Sequence, residues 1–170
     1  MVYKIVRFPD KVLDKAAAPV KHFDDKLAGL VDDMFESMYK AHGVGLAAPQ
    51  IGISMHLAVI DTSLGEDPKG KIVLCNPEVI ETSGRQSMEE GCLSLPGFRA
   101  PCVRPQKATV RAQDLKGKWF ELTGEDLLAR AFCHETDHLN GRLFISHLSV
   151  LRRNMIKRKI KKMIQAKEWE

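Results

Sequence analysis

Between Leu27 and Met38, apolar residues recur at three- and four-residue intervals: Leu27, Leu30, Val31, Met34, Phe35 and Met38. That spacing predicts an amphipathic helix, opened by an N-cap at Asp24 or Asp25, running to about Ala41 and stopped at Gly43. A second helix is predicted from Thr123 or Gly124 to Gly141, with an apolar opening at Leu127, Leu128 and Ala129. A third is predicted from about Ser149 to Ala166, where Ile156, Ile160, Met163 and Ile164 fall within an arc of about 100° on a helical wheel. Shorter patterns read as strands. Residues 56–61 and 71–76 are two, and 79–82 is a weaker third. Residues 107–113 alternate as a half-buried strand does, and 117–123 fits as the hairpin partner, with the turn near Asp114, Leu115 and Lys116. Segment 43–52 is rich in Gly, Ala and Pro and reads as a loop with its backbone held close to something, and 89–97 is again irregular. Helix, short strands, central helix, final helix is not the alternation of a parallel α/β protein. It implies an α+β fold, with antiparallel β-sheets packed around the central helix.

The chain has 170 residues, of which 44% are apolar, enough for one domain over 1–170 with a buried core. No apolar run reaches membrane-spanning length, and residues 1–7 lack the core of a secretion signal. A cytoplasmic protein that touches no membrane is expected. Four cysteines (Cys75, Cys92, Cys102 and Cys133) form no C-x-x-C pair and read as free thiols of a reducing compartment. The net charge is +4, unevenly spread: residues 151–170 hold eight Lys/Arg against two Glu, and the remainder is net −2. The basic last helix therefore reads either as a docked helix with a solvated charged face or as a contact for polyanionic RNA.

The central helix carries His134-Glu135-Thr136-Asp137-His138, an H-E-x-x-H pattern. Positions four apart on a helix lie about 40° apart around the axis, so both imidazoles can grip one metal ion. Glu135 can reach an attacking water without being a ligand. Many zinc peptidases complete such a site with a histidine six residues past the second one, but Phe144 stands there, and His147 is out of register. The third ligand is therefore expected upstream, and Cys92 is the best placed by its surroundings.

Three stretches then converge. Gly43-Val44-Gly45-Leu46-Ala47-Ala48-Pro49-Gln50, Glu90-Gly91-Cys92-Leu93-Ser94 and His134-Glu135-Thr136-Asp137-His138 resemble, in order and spacing, the three motifs of the peptide deformylase family. Residues 8–13 and Pro19-Val20 are similar to the family's N-terminal segment. The resemblance implies one divalent metal ion held by Cys92, His134 and His138, Fe²⁺ in the cell with Zn²⁺, Ni²⁺ or Co²⁺ able to substitute. It implies hydrolysis of the N-formyl group of formyl-methionyl nascent peptides. Glu135 is then the general base, and Gln50 and the Leu93 backbone N–H stabilise the oxyanion. Gly43, Val44, Gly45, Gly91 and Arg99 are implied to bind substrate. Val44, Leu127, Leu128 and Ala131 are candidates for the methionine pocket. The RNA reading of the last helix becomes a ribosome contact, since formylated chains emerge there, and the protein is expected to be a monomer. Asp137 is expected to pair with an arginine such as Arg104, and Glu90 to hold the cysteine loop. The family most often has glutamine where Cys133 stands. Cys133 sits about 100° around the helix from His134, so it is not expected to share the site.

Overall fold

A computed structural model describes residues 1–169. Helix α1 (Asp25–Lys40) starts as the pattern predicts, with the Asp24 carboxylate accepting from the Leu27 N–H at 3.0 Å. It stops differently. His42, not Gly43, takes the left-handed conformation (φ 57°), and the Gly43 N–H then closes on the Met38 carbonyl at 3.0 Å.

The segment read as irregular at 43–52 contains a short strand, β1 (Gly45–Ala47), and a 3-10 turn over Ala48–Ile51. Strands β2 (Leu57–Ile60), β3 (Ile72–Ser83), β6 (Lys107–Gln113) and β7 (Trp119–Glu125) complete an antiparallel sheet in the order β1-β2-β3-β6-β7. The two strands expected at 71–76 and 79–82 are one strand, β3, bent where Asn76 takes φ 51° and the register shifts between Cys75 and Glu78. Strands β4 (Gln86–Gly91) and β5 (Arg99–Arg104) form a separate two-stranded sheet that the sequence pattern did not predict, and β4 takes in Glu89–Gly91 from the segment read as irregular. Helix α2 (Asp126–Leu139) begins later than expected because β7 retains Thr123 and Gly124 in its pairing with β6. Helix α3 (Val150–Gln165) matches the predicted bounds and is capped by Ser149, whose hydroxyl accepts from the Arg152 N–H.

Three larger apolar clusters fix these elements. Helix α1 buries Met34, Phe35 and Met38 against Leu46, Leu57 and Val59. One face of α2, with Ala129 and Phe132, packs against Ile60, Leu74 and Val110 of the sheet. A third cluster joins Leu95, Cys102 and Phe144 to Ile156 and Ile160 of α3. Each fully buried side chain of this size contributes about 1.5–3 kcal/mol relative to exposure. Helix α2 is thus wedged between the five-stranded sheet and the β4–β5 pair, and its histidines face the connection that leaves β4. No helix among the described residues is long and apolar enough to cross a membrane.

Candidate metal centre

On α2, His134 and His138 lie one turn apart with their Nε2 atoms 3.1 Å from each other. The turn after β4 brings the Cys92 Sγ to 3.2 Å from His138 Nε2. The three donor atoms lie within 4.8 Å of one another. Ligands around one tetrahedral ion with bonds of about 2.0–2.3 Å are spaced about 3.3–3.8 Å apart, so this donor set fits one divalent ion with small adjustment. The buried Glu135 Oε2 beside it has no protein partner, as suits a carboxylate turned toward a reacting water. Burial pushes the Cys92 thiol up, but the imidazoles of His138 and His134 outweigh it and bring the thiol down to about 5. At neutral pH the sulfur is a thiolate, the form that binds metal.

A buried ionic cluster supports the donors from behind. Glu90, near the end of β4, uses both carboxylate oxygens twice. Oε1 accepts from Arg104 Nε (3.0 Å) and Arg130 Nη1 (2.6 Å), and Oε2 from Arg104 Nη2 (2.7 Å) and His134 Nδ1 (2.8 Å). Burial raises the Glu90 carboxyl, yet His134 and Arg104 hold it well below the usual carboxylate range. An ionised Glu90 makes His134 Nδ1 the N–H side of the ring and leaves Nε2 free to bind. Arg104 Nη1 also reaches Asp137 at 2.7 Å, the pairing expected from the sequence, and Asp137 in turn meets His147 Nε2 at 2.7 Å. Two guanidiniums and two carboxylates leave the cluster balanced, the condition under which buried ions persist. Phe144, standing where a third histidine was absent, is buried and stacks on the His134 ring at 6.3 Å.

The cleft in front has a volume of about 480 Å³. Its lining includes Gly43, Val44, Gly45, Gln50, Gly91, Cys92, Leu93, Arg99, Leu127, Ala131, His134 and Glu135, so the expected site residues other than His138 and Leu128 reach it directly. Gln50 is buried; its Oε1 accepts from the Ala47 N–H at 3.0 Å, and its Nε2 donates to Ser94 Oγ at 3.2 Å and faces Cys92 Sγ at 3.6 Å. A Cβ on Gly45 would stand 2.5 Å from Glu135 Oε1, so this position has room only for glycine if Glu135 is to keep its place. Burial pushes the Glu135 carboxyl up, toward the range where it can exchange a proton.

One expectation needs adjusting. Leu128 is not a cleft residue; it packs over Gly124 in the sheet-facing cluster. Arg99 is at the cleft but largely exposed, 3.8 Å from Glu89. Cys133 is placed as expected: it lines a separate cavity of about 820 Å³ on the far side of α2, and burial pushes its thiol up to about 11. All four cysteines are free. Arg130 and Ser94 escaped the sequence reading. The one signal for Arg130 was a cation one helical turn before His134, on an otherwise apolar stretch.

The polypeptide deformylase family model matches residues 2–154. The chain belongs to the polypeptide deformylase family. It is 59% identical over 169 residues to a peptide deformylase of Acidobacterium capsulatum, covering 99% of each chain. The crystal structure of a peptide deformylase from Legionella pneumophila superimposes with a TM-score of 0.91 at 49% identity, over 100% of this chain and 99% of that one. A peptide deformylase from Synechococcus elongatus, solved in complex with actinonin, gives a TM-score of 0.87 at 38% identity over 92% and 86%. The family model's match ends at residue 154, within α3, while the Acidobacterium and Legionella relatives match through the basic helix as well.

Proposed function

We propose that this chain hydrolyses the N-terminal formyl group of formyl-methionyl nascent peptides, breaking the formyl C–N bond with water to give formate and a free amine. The observation that carries this reading is the convergence of Cys92, His134 and His138 beside Glu135 and Gln50 in a chain of this family. Cys92 Sγ, His134 Nε2 and His138 Nε2 hold one divalent ion. When bound, the ion supplies Lewis acidity, which makes water a nucleophile near neutral pH and polarises the formyl oxygen. Glu90 orients His134 through Nδ1.

Glu135 takes a proton from the attacking water and returns it to the departing nitrogen, a role its burial-raised carboxyl suits. Gln50 Nε2, held at the donor cluster by its bonds to Ala47 and Ser94, donates to the developing oxyanion together with the Leu93 N–H. β1 is an edge strand, and along Gly43, Val44 and Gly45 the peptide lies extended, with backbone pairing. Val44, Leu127 and Ala131 receive the methionine side chain, Gly91 keeps the cleft floor clear, and Arg99 meets the peptide farther out.

We assign Fe²⁺ as the ion in the cell, with Zn²⁺, Ni²⁺ and Co²⁺ held by the same donors; a thiolate with two imidazoles suits all four. The protein acts as a cytoplasmic monomer of one domain, and its basic α3 meets the ribosome. The test is formate release from a formyl-Met peptide by anaerobically prepared protein, wild type against Glu135→Ala. The variant is expected to lose about 10²–10⁴-fold in rate while keeping its metal content, since no donor is changed. Absence of formate from the wild type would overturn the reading.

A further inference from the structure

Trp169 lies past the residues that the family model matches, yet it touches the cleft-lining Phe98 directly and the turn after Cys92 by way of Phe8. Its indole N–H donates to the Phe8 carbonyl at 2.6 Å, while the Phe8 N–H donates to the Ser94 carbonyl at 3.0 Å. Its ring meets Phe98 edge-on, with centroids 5.8 Å apart and planes at 66°. The Arg7 guanidinium covers another part of the ring at 5.6 Å. Ser94 and Phe98 bracket the turn that runs from Cys92 to the cleft wall, closed by Leu95 N–H to Cys92 O (2.9 Å) and Phe98 N–H to Leu95 O (3.2 Å). Pro96, Gly97 and Phe98 of this turn line the cleft, and Gly97 takes a left-handed φ of 83° with open space around it. The Phe98 ring rests on the apolar cluster that includes Leu95, and Trp169, packed on the same cluster, meets it edge-on.

We infer that Trp169 is a positioning residue for substrate: it buttresses the Phe98 wall and thereby sets the affinity for the peptide part of formylated chains. It touches no reacting group, so its effect falls on KM and not on kcat. The inference rests on the deformylase reading of the cleft, but its test separates the two.

The experiment compares wild type, Trp169→Ala and Trp169→Phe in formate release from a formyl-Met tripeptide. Trp169→Ala is expected to raise KM about fivefold, the scale of one aromatic contact, with kcat unchanged. Trp169→Phe keeps a ring against Phe98 and is expected to recover most of the affinity. If Trp169 only stabilised the fold, its loss would reduce the active fraction and so kcat, leaving KM unmoved; that outcome overturns the inference, as does a KM within twofold of wild type. A second readout uses Trp119→Phe, which leaves Trp169 as the only tryptophan of the two in the chain. Trp119 sits on β7 under the Arg111 guanidinium, outside the cleft. Saturating tripeptide is expected to shift Trp169 emission, and unchanged emission would overturn the coupling. Failure of wild type to release formate would instead overturn the deformylase reading.

Discussion

A carboxylate with no exposed surface organises the turn after β2. Asp61 accepts from Tyr39 Oη at 2.5 Å, from the Ser63 hydroxyl at 2.6 Å and from the N–H groups of Ser63 (2.9 Å) and Gly65 (3.1 Å). Burial raises its carboxyl, but the Ser63 and Tyr39 bonds reverse this and hold it below its ordinary value. A folded-state pKa below the unfolded one gives stability that is complete above the ordinary carboxylate range and is lost as pH falls through the lower, folded value. Asp61→Asn is therefore expected to cost about 1–3 kcal/mol at pH 7. In urea titrations across pH, the gap between variant and wild type should narrow in acid; a gap that is constant with pH would refute the ionised role. The same logic, a buried ion held by several donors, explains what could be read in the motifs and what could not. His134 and His138 were legible because helical spacing alone makes them neighbours. Arg130 was not, because its value depends on Glu90, forty residues away in sequence and 2.6 Å away in space.

At the scale of elements, period was legible and curvature was not. Helix α1 followed its apolar spacing and N-cap, and α3 kept its predicted bounds, but of its four apolar positions only Ile156 and Ile160 are buried and Ile164 is exposed. Strand β3 was read as two because Asn76 and Pro77 interrupt its alternation. Asn76 makes the bend rather than ending the strand. Its Oδ1 accepts from the Val20 N–H at 2.8 Å, and its Nδ2 donates to the Val20 carbonyl at 3.0 Å and to Gln113 Oε1 at 2.7 Å. β4 was missed for another reason: Ser87, Met88 and Glu89 are exposed, so no burial-driven alternation marks it, and β5 contains Pro101. The bend yields a prediction. Asn76→Ala loses three hydrogen bonds and puts an alanine at positive φ, for an expected loss of about 2–4 kcal/mol. Asn76→Gly loses the same bonds without the backbone strain, and should be the more stable variant by about 1 kcal/mol in urea unfolding. Equal stability of the two would mean that the left-handed backbone at 76 is not maintained.

Across the whole molecule, the donors share the cleft, and the charge of α3 is set apart from both. The centre needs segments near residues 50, 92 and 134, brought together by α2 lying between the two sheets, and the sequence reached this assembly only through ordered motifs. The charge, by contrast, was legible from composition, since Lys157, Arg158, Lys159, Lys161 and Lys162 stand exposed on α3 while Ile156 and Ile160 dock it. A helix anchored by two isoleucines still holds a continuous cationic face toward solvent. A body of net −2 behind a segment of net +6 gives the molecule a preferred orientation toward a polyanion. If α3 meets ribosomal RNA, binding must weaken with salt, and each phosphate contact removed should flatten the log–log salt slope by about 0.7–0.9. Replacing Lys157, Arg158, Lys161 and Lys162 by Glu leaves Ile156, Ile160 and Trp169 in place. This variant should keep deformylase activity on free peptides, yet be lost from the ribosome fraction in co-sedimentation at low salt. Co-sedimentation equal to wild type would rule out the helix as the contact. Parallel loss of activity on free peptides would instead point to a role for these residues in the fold, because none of them lines the cleft.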